Sequence, residues 1–531
     1  MRLVPLALLG LLAFPLRAQT PDPCAHGAAT ARLNVGGVDA GLFNNGNLFY
    51  SSGTVSAEAD YTVGGGTGLY AANFWVGGTV DSDVRTASAT FQNFEFWPGP
   101  LDAGATLPAQ GCAAFDRIYS VTRADVTAYE TTGVATPDLA AWPVGLGADA
   151  VDATGQRVVP TSRSQTINLG AGQRPVVYGS QTAFWVMNDK GGAHAWTGSA
   201  PLGIEVQVTA VAFSGQGAVL DQSTAYRYRI VNRSAVAITD AHASLWVDTD
   251  LGGLANEYQG VDVARGLAFT YNPNVPDPQY GVPPALGYDF LNTGIGAHRH
   301  AYNGASTSTT GDPRSLQQVS NAQRGLWNNG TPLTTSGTGY QTPGAVTRFA
   351  FPADPVTGQA WSEVNADGMG TANLPGNKRS ITTTPAFTLA PGAKTDVHIA
   401  IVFAQGTSHL DSVTRLYAAS DVVQAAFDSG TVFPAAGEPD APASASGASL
   451  AALRPNPTTR GAETTLTLPA DAAVRVSVVD VLGREVAVVY DGTLPAGAHP
   501  LRLPAGLAPG IYAVVAATAE ARLTERLTVT R

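Results

Sequence analysis

Gly203-Ile204-Glu205-Val206-Gln207-Val208-Thr209 and Ala225-Tyr226-Arg227-Tyr228-Arg229-Ile230-Val231 are the runs that decide the fold class. Both are rich in β-branched or aromatic residues and bounded by turn residues, the composition of strands. The same character recurs in Phe74-Trp75-Val76-Gly77-Gly78, Phe94-Glu95-Phe96-Trp97, Ala183-Phe184-Trp185-Val186-Met187 and Val397-His398-Ile399-Ala400-Ile401-Val402-Phe403. Near the end of the chain Val474, Val476 and Val478 alternate with Arg475, Ser477 and Val479, the period of a strand with one buried face; Asp480 to Arg484 then supply a turn. Pro509-Gly510 sets another turn into Ile511-Tyr512-Ala513-Val514-Val515. One helix stands out, where Leu410, Val413, Leu416, Tyr417, Val423 and Phe427 recur at helical spacing.

Composition agrees with this pattern. The 531 residues include 59 Gly and 35 Pro but only 13% charged side chains, which suits many short strands joined by tight turns. The expected fold class is all-β, with antiparallel β-sandwich layers in the body and a separate small immunoglobulin-like β-sandwich at the C-terminus. Arg2 precedes an apolar run from Leu3 to Leu16, and Arg17-Ala18-Gln19 follows, so residues 1–18 read as a signal peptide. Its apolar run is too short to span a bilayer stably, and no later stretch is long enough to form a transmembrane segment. The alternative for the leader is a buried helix. Residues 19–433 form the body, long enough for a division into two subdomains near 200–220. Residues 434–452 are a Pro/Ala/Ser linker, and 453–531 form the C-terminal module.

The net charge of −11 becomes more negative once Arg2 and Arg17 leave with the leader. A nucleic-acid partner needs a basic face to neutralise phosphates, and no such face is legible. Cys24 and Cys112 are the only cysteines; in an exported chain they are expected to form a disulfide, the alternative being two unrelated buried thiols.

The chemical constellation of most interest is Asp248-Thr249-Asp250-Leu251-Gly252-Gly253, with Asn256-Glu257 and Asp262 downstream. Clustered acids on a turn are the ligand type of calcium, which takes six to eight oxygens, so Asp248, Asp250, Glu257 and Asp262 are the candidate metal ligands. An EF-hand reading fails, because the fifth place is Gly252 and the twelfth Gln259. A polar turn with solvated acids is the alternative. His298-Arg299-His300 would put two imidazoles on one face of a strand, but a zinc site needs more ligands than these. Asp428-Ser429-Gly430-Thr431 matches a short aspartic-protease signature, yet reads more naturally as a helix end with a glycine stop. Nucleophile-elbow, His-Glu-x-x-His and phosphate-loop motifs are absent from the sequence. A glycosidase pair of acids has no fixed local spacing and stays open.

Five blocks stand in order near the C-terminus: Leu453-Arg454-Pro455-Asn456-Pro457, Val476 to Val486, Leu494-Pro495-Ala496-Gly497-Ala498-His499, Leu507 to Val514, and Glu525-Arg526-Leu527-Thr528-Val529. Together they resemble the type A C-terminal sorting domain of the type IX secretion system, in which a small β-sandwich routes its cargo across the outer membrane. Asn456, Pro457, Asp480, Gly483, Arg484, Gly497, Gly510, Tyr512 and Arg526 are the residues that match. The resemblance implies Sec export, the type IX machinery as partner, and a secreted or surface-attached location. An ordinary immunoglobulin-like module would show the same periodicity. Phe96 to Asp102, Trp185 to Gly191, Tyr228 to Ser234, Trp246 to Gly252, Pro283 to Gly287 and Arg324 to Pro332 also resemble segments of large exported proteins of Bacteroidetes-like bacteria that carry such a tail. That group brings no activity with it.

Two functions follow as expectations. The first is a non-enzymatic surface or extracellular module that binds a glycan or other polymer through aromatics such as Trp75, Trp97 and Trp327, although residues of this kind are more often part of a core. The second is a secreted hydrolase of glycans or proteins. They separate on whether the body brings two or more acids, or a nucleophile and its base, into one place.

Overall fold

The computed structural model describes residues 24–50, 60–91, 93–302 and 309–433 of the body. In the C-terminal module it describes 449–451, 453, 456, 458–459, 461–468, 471–480, 484–495, 497–518 and 522–530. The leader, most of the linker, Pro457 and Gly483 lie outside the described residues.

Two large antiparallel sheets make the body. In the first, Ile238–Asp248 runs between Ala71–Val80 and Lys378–Thr383; Ala297–Tyr302 continues beyond the latter, and Asn47–Leu48 and Val38–Phe43 beyond the former. In the second, Gln181–Asn188, Ile204–Ala212, Ser223–Asn232, Lys394–Ala404, Ala285–Phe290, Leu267–Tyr271 and Tyr258–Asp262 follow one another. Alternation sorts their side chains. Tyr226, Tyr228 and Ile230 face the first sheet and share one core with Phe74, Val76, Leu245 and Val247, whereas Arg227 and Arg229 face away. Phe74 stacks on Tyr228 at 3.9 Å between ring centroids, which ties the layers at their centre. Each aliphatic side chain sealed here contributes about 1.5–3 kcal/mol.

Both outer faces are covered. The helix His409–Asp428 lays Val413, Leu416, Ala419 and Val423 on Phe269, Tyr271, Ala400 and Val402 of the second sheet. Gly430, at φ 76°, follows its end, so the Asp428-Ser429-Gly430 segment is a helix stop. Residues 135–169 cover more of that sheet, packing Leu139, Trp142 and Val144 on Phe184 and Val186. The same segment aims Asp149 at Arg227, whose Nη2 lies 2.6 Å from the carboxylate. On the first sheet Val319 and Ala322 of the helix Leu316–Gln323 rest on Trp75, Trp246 and Ile381.

The all-β, antiparallel sandwich is therefore what the strand composition predicts. The division near 200–220 is corrected: Ile204–Ala212 pairs along its length with both Gln181–Asn188 and Ser223–Asn232, inside one continuous sheet. Helices at Arg123–Thr132, Pro137–Ala140 and Leu316–Gln323 accompany the one expected. Cys24 and Cys112 are disulfide-bonded with Cα atoms 5.5 Å apart, packed around Trp97.

The C-terminal module has a core of its own, in which Leu466, Val474, Val476, Val478, Val514 and Leu527 meet. One sheet pairs Ser449–Leu450, Glu463–Leu468 and Gly497–Arg502; the other pairs Glu485–Leu494, Ala472–Asp480, Gly510–Ala517 and Arg522–Val529. Among the described residues no helix is long and apolar enough to cross a membrane.

Candidate functional site

The strand Ile238–Asp248 carries Asp248 at its end, in register with Ala71 on one side and Arg379 on the other. Cross-strand partners on one face lie within reach of long side chains. Arg379 Nε accordingly sits 3.1 Å from Asp248 Oδ2, and its Nη1 also pairs with Asp312. Asp312 in turn accepts a 3.0 Å hydrogen bond from Trp246 Nε1. The guanidinium of Arg379 lies over Phe91, 5.0 Å from the ring centroid, and 5.8 Å from that of Trp246.

Aromatic side chains continue outward from this pair. Phe91 meets Trp246 edge-on at 5.0 Å, Tyr50 at 5.4 Å and Tyr70 at 6.0 Å, and Tyr50 meets Tyr70 at 5.4 Å. Tyr50, Tyr70 and Phe91 are only half-buried. Tyr70 is fixed against the acids by its backbone N–H, which donates to Asp248 O at 3.1 Å. Phe91 has φ 49°, a conformation costly for a bulky residue.

After Asp248 the chain turns through Thr249–Asn256 and returns at Glu257. The turn is pinned from outside: Asn272 Nδ2 donates to Leu251 O at 2.6 Å, and Gln279 Nε2 to Gly252 O at 2.7 Å. Gly252 is required there, since φ is 70° and a Cβ would lie 2.2 Å from the Asp277 carboxylate oxygens. Glu257 exchanges backbone hydrogen bonds with Gly376, and its Oε2 accepts from Lys378 N at 3.3 Å. Thr249, between the two aspartates, points to the other side and bonds Tyr288 Oη at 2.8 Å.

Three carboxyls thus share one electrostatic neighbourhood. Burial pushes Glu257 up to about 9, with Asp250 and Asp248 adding to the rise. Burial lifts Asp248 to about 7 against the pull of Arg379, and Asp250 to about 6 against the same pull. Asp248 Oδ1, Asn256 Oδ1, Glu257 Oε1 and Asn377 Oδ1 are buried without a hydrogen-bond partner.

Of the four candidate calcium ligands, Asp262 falls elsewhere. It closes the strand Tyr258–Asp262, about 13 Å along from Tyr258, and is bound by Arg265, whose Nη1 donates to Oδ2 at 2.6 Å. Among the described residues no group of three or more His, Cys, Asp or Glu side chains is placed to hold a metal ion. The calcium expectation is corrected accordingly: Asp248, Asp250 and Glu257 are neighbours without converging on a point.

The other sequence candidates resolve as packing. Trp75, Trp97 and Trp327 are fully buried, so none is available to a ligand. Trp75 Nε1 donates to Ala89 O at 2.6 Å and Trp327 Nε1 to Gly339 O at 3.0 Å. His298 and His300 are buried too; His298 Nδ1 bonds Thr382 Oγ1 at 2.9 Å, and His300 packs on Trp327 and Phe351. Desolvation drives His298 down to about 3 and His300 well below its ordinary value.

In the C-terminal module the matching residues sit at turns and strand ends. Asn456 Nδ2 donates to Arg526 O at 2.7 Å while its Oδ1 accepts from Thr528 N at 2.8 Å, stapling the entry segment to the last strand. Asp480, at the end of its strand, accepts from Arg484 N at 3.0 Å and from Arg484 Nε at 2.8 Å. Tyr512 Oη donates to Ala508 O at 2.8 Å. Gly497 and Gly510 open strands, Gly497 at φ 125°.

No protein-family model matches the chain, and no curated protein matches it significantly. Among solved structures it is similar to a polysaccharide lyase at 9% identity and a TM-score of 0.20, over 61% of this chain and 34% of that one. It is also similar to dimeric latent PorU from Porphyromonas gingivalis at 10% identity and a TM-score of 0.13, over 68% of this chain and 33% of that one. The chain spans about a third of the length of these two structures. Scores this low carry nothing about function from those proteins to this one.

Proposed function

We propose that this is an exported protein, delivered across the outer membrane by the type IX secretion machinery through its C-terminal module, whose body is a non-enzymatic module that binds a glycan or similar polymer. The observation that carries the export route is the ordered set of sorting blocks lying on a small sandwich with its own core, where Asn456, Asp480 and Tyr512 each hold a turn or strand end. A disulfide between Cys24 and Cys112 suits passage through an oxidising compartment.

The test is a fluorescent reporter carrying a Sec leader and residues 434–531, produced in a bacterium with a type IX machinery and in a strain lacking it. The reporter is expected in the medium or on the surface of the first and in the periplasm of the second. Equal distribution in the two strains would remove the sorting role.

A second reading, a secreted hydrolase, is favoured by one observation. Glu257 is held protonated and Asp250 largely ionised near neutral pH within one neighbourhood, and such a split is how acid and base roles are divided between carboxyls.

A further inference from the structure

We propose that Tyr50, Tyr70 and Phe91, with Asp248 and Asp250 behind them, form a binding site for a sugar ring of a neutral glycan. The assignment rests on the reading of the body as a polymer-binding module and gives that module a place and a ligand chemistry.

Three observations meet at this spot. Tyr50, Tyr70 and Phe91 form a contiguous aromatic patch that stays half-buried, whereas Trp75, Trp97 and Trp327 are sealed in cores. Aromatic walls with a few fixed polar groups are the usual make-up of a small-ligand site, and ring faces suit the apolar faces of a sugar. Phe91 is held in the left-handed region at φ 49°, so the backbone carries strain to keep that ring in the patch.

Independently of the aromatics, Asp248, whose backbone carbonyl holds Tyr70 in place, is almost wholly buried and keeps one carboxyl oxygen without a donor. Asn256 and Asn377 add two amide oxygens in the same condition. A partner for these groups must bring donors, and hydroxyls spaced around a ring do so. A point cation is disfavoured because the acids do not converge. An acidic polysaccharide is disfavoured by charge: Asp248 and Asp312 already share Arg379, and the Asp250 carboxylate would oppose any incoming carboxylate.

The experiment is affinity electrophoresis of the full chain in gels holding soluble β-glucan, xylan or galactomannan, with alginate as the acidic control, each run with calcium and with EDTA. Retardation by at least one neutral polymer is expected, in both conditions and not in alginate. Tyr70→Ala and Phe91→Ala should weaken it tenfold or more, and Tyr70→Phe, which keeps the ring, should retain it. Unchanged thermal unfolding of the variants confirms that they are folded. Retardation equal in wild type, Tyr70→Ala and Phe91→Ala would overturn this site while leaving polymer binding intact. No retardation in any neutral gel would overturn both. Binding lost in EDTA, restored by calcium and indifferent to Tyr70→Ala would overturn the sugar site in favour of a cation. Release of reducing ends from the retarding polymer would keep the site and replace the non-enzymatic reading by the hydrolase.

Discussion

Asp289 shows how this acidic protein stores a pH dependence in one side chain. It lies fully buried on the strand Ala285–Phe290, where Ser420 of the covering helix donates to its Oδ2 at 2.5 Å and its Oδ1 has no partner. Burial pushes the carboxyl up to about 7, the Ser420 bond opposing. A carboxyl whose folded value is raised is favoured in its protonated form, so its contribution is complete below the unfolded value near 4 and is lost as pH climbs through about 7. A shift of that size corresponds to about 4 kcal/mol. Asp289→Asn keeps an acceptor for Ser420 and cannot ionise. Denaturant unfolding at several pH values should therefore show wild type losing stability relative to the variant between pH about 4 and 7, and parallel curves would contradict the assignment.

Among elements, the helix His409–Asp428 is the simplest case of sequence passing directly into packing. Ser408 caps it by accepting from Asp411 N at 3.2 Å, and the spacing of Val413, Leu416, Ala419 and Val423 sets one stripe on the second sheet. Leu416 is fully buried and lies over Gly287, where a Cβ would come 3.2 Å from Leu416 Cδ1. Leu416→Ala should cost about 2–5 kcal/mol in denaturant unfolding through the cavity it leaves, and a loss below about 0.5 kcal/mol would mean that the helix is not part of the cooperative core. Strands such as Ile204–Ala212 and this helix were legible because their signal is local. Arg123–Thr132 was legible in principle, since Thr122 and Asp125 form a capping box, but its buried stripe is absent and periodicity does not report it. The site was half legible. Asp248, Asp250 and Glu257 lie within ten residues and announce themselves, whereas Tyr50, Tyr70, Phe91, Asp312 and Arg379 come from separate segments that only strand pairing brings together. Trp75 and Trp327 take the core reading, and what seals them was not legible for the same reason: which side of a sheet is covered depends on helices and loops far along the chain.

For the whole molecule, the question is what holds the segment around Cys24 to a sandwich whose sheets are assembled from both halves of the sequence. The first core draws on residues from Leu33 to Phe403, so the fold closes only when distant segments have met. The disulfide acts on that requirement. Cys24 and Cys112 are 88 residues apart in sequence, both buried and packed with Trp97, and Cys24 N donates to Gly191 O at 3.0 Å. Linking them shortens the loops the unfolded chain can explore, an effect of about 4 kcal/mol in the chain-entropy model. The double variant Cys24→Ser/Cys112→Ser leaves the strand pairings untouched, so its loss should appear as a lower midpoint, up to about 4 kcal/mol by denaturant unfolding and several degrees in Tm. Wild type treated with a reductant should approach the variant. A midpoint that moves in neither comparison would show that the buried packing around Trp97, and not the covalent link, anchors this end of the chain.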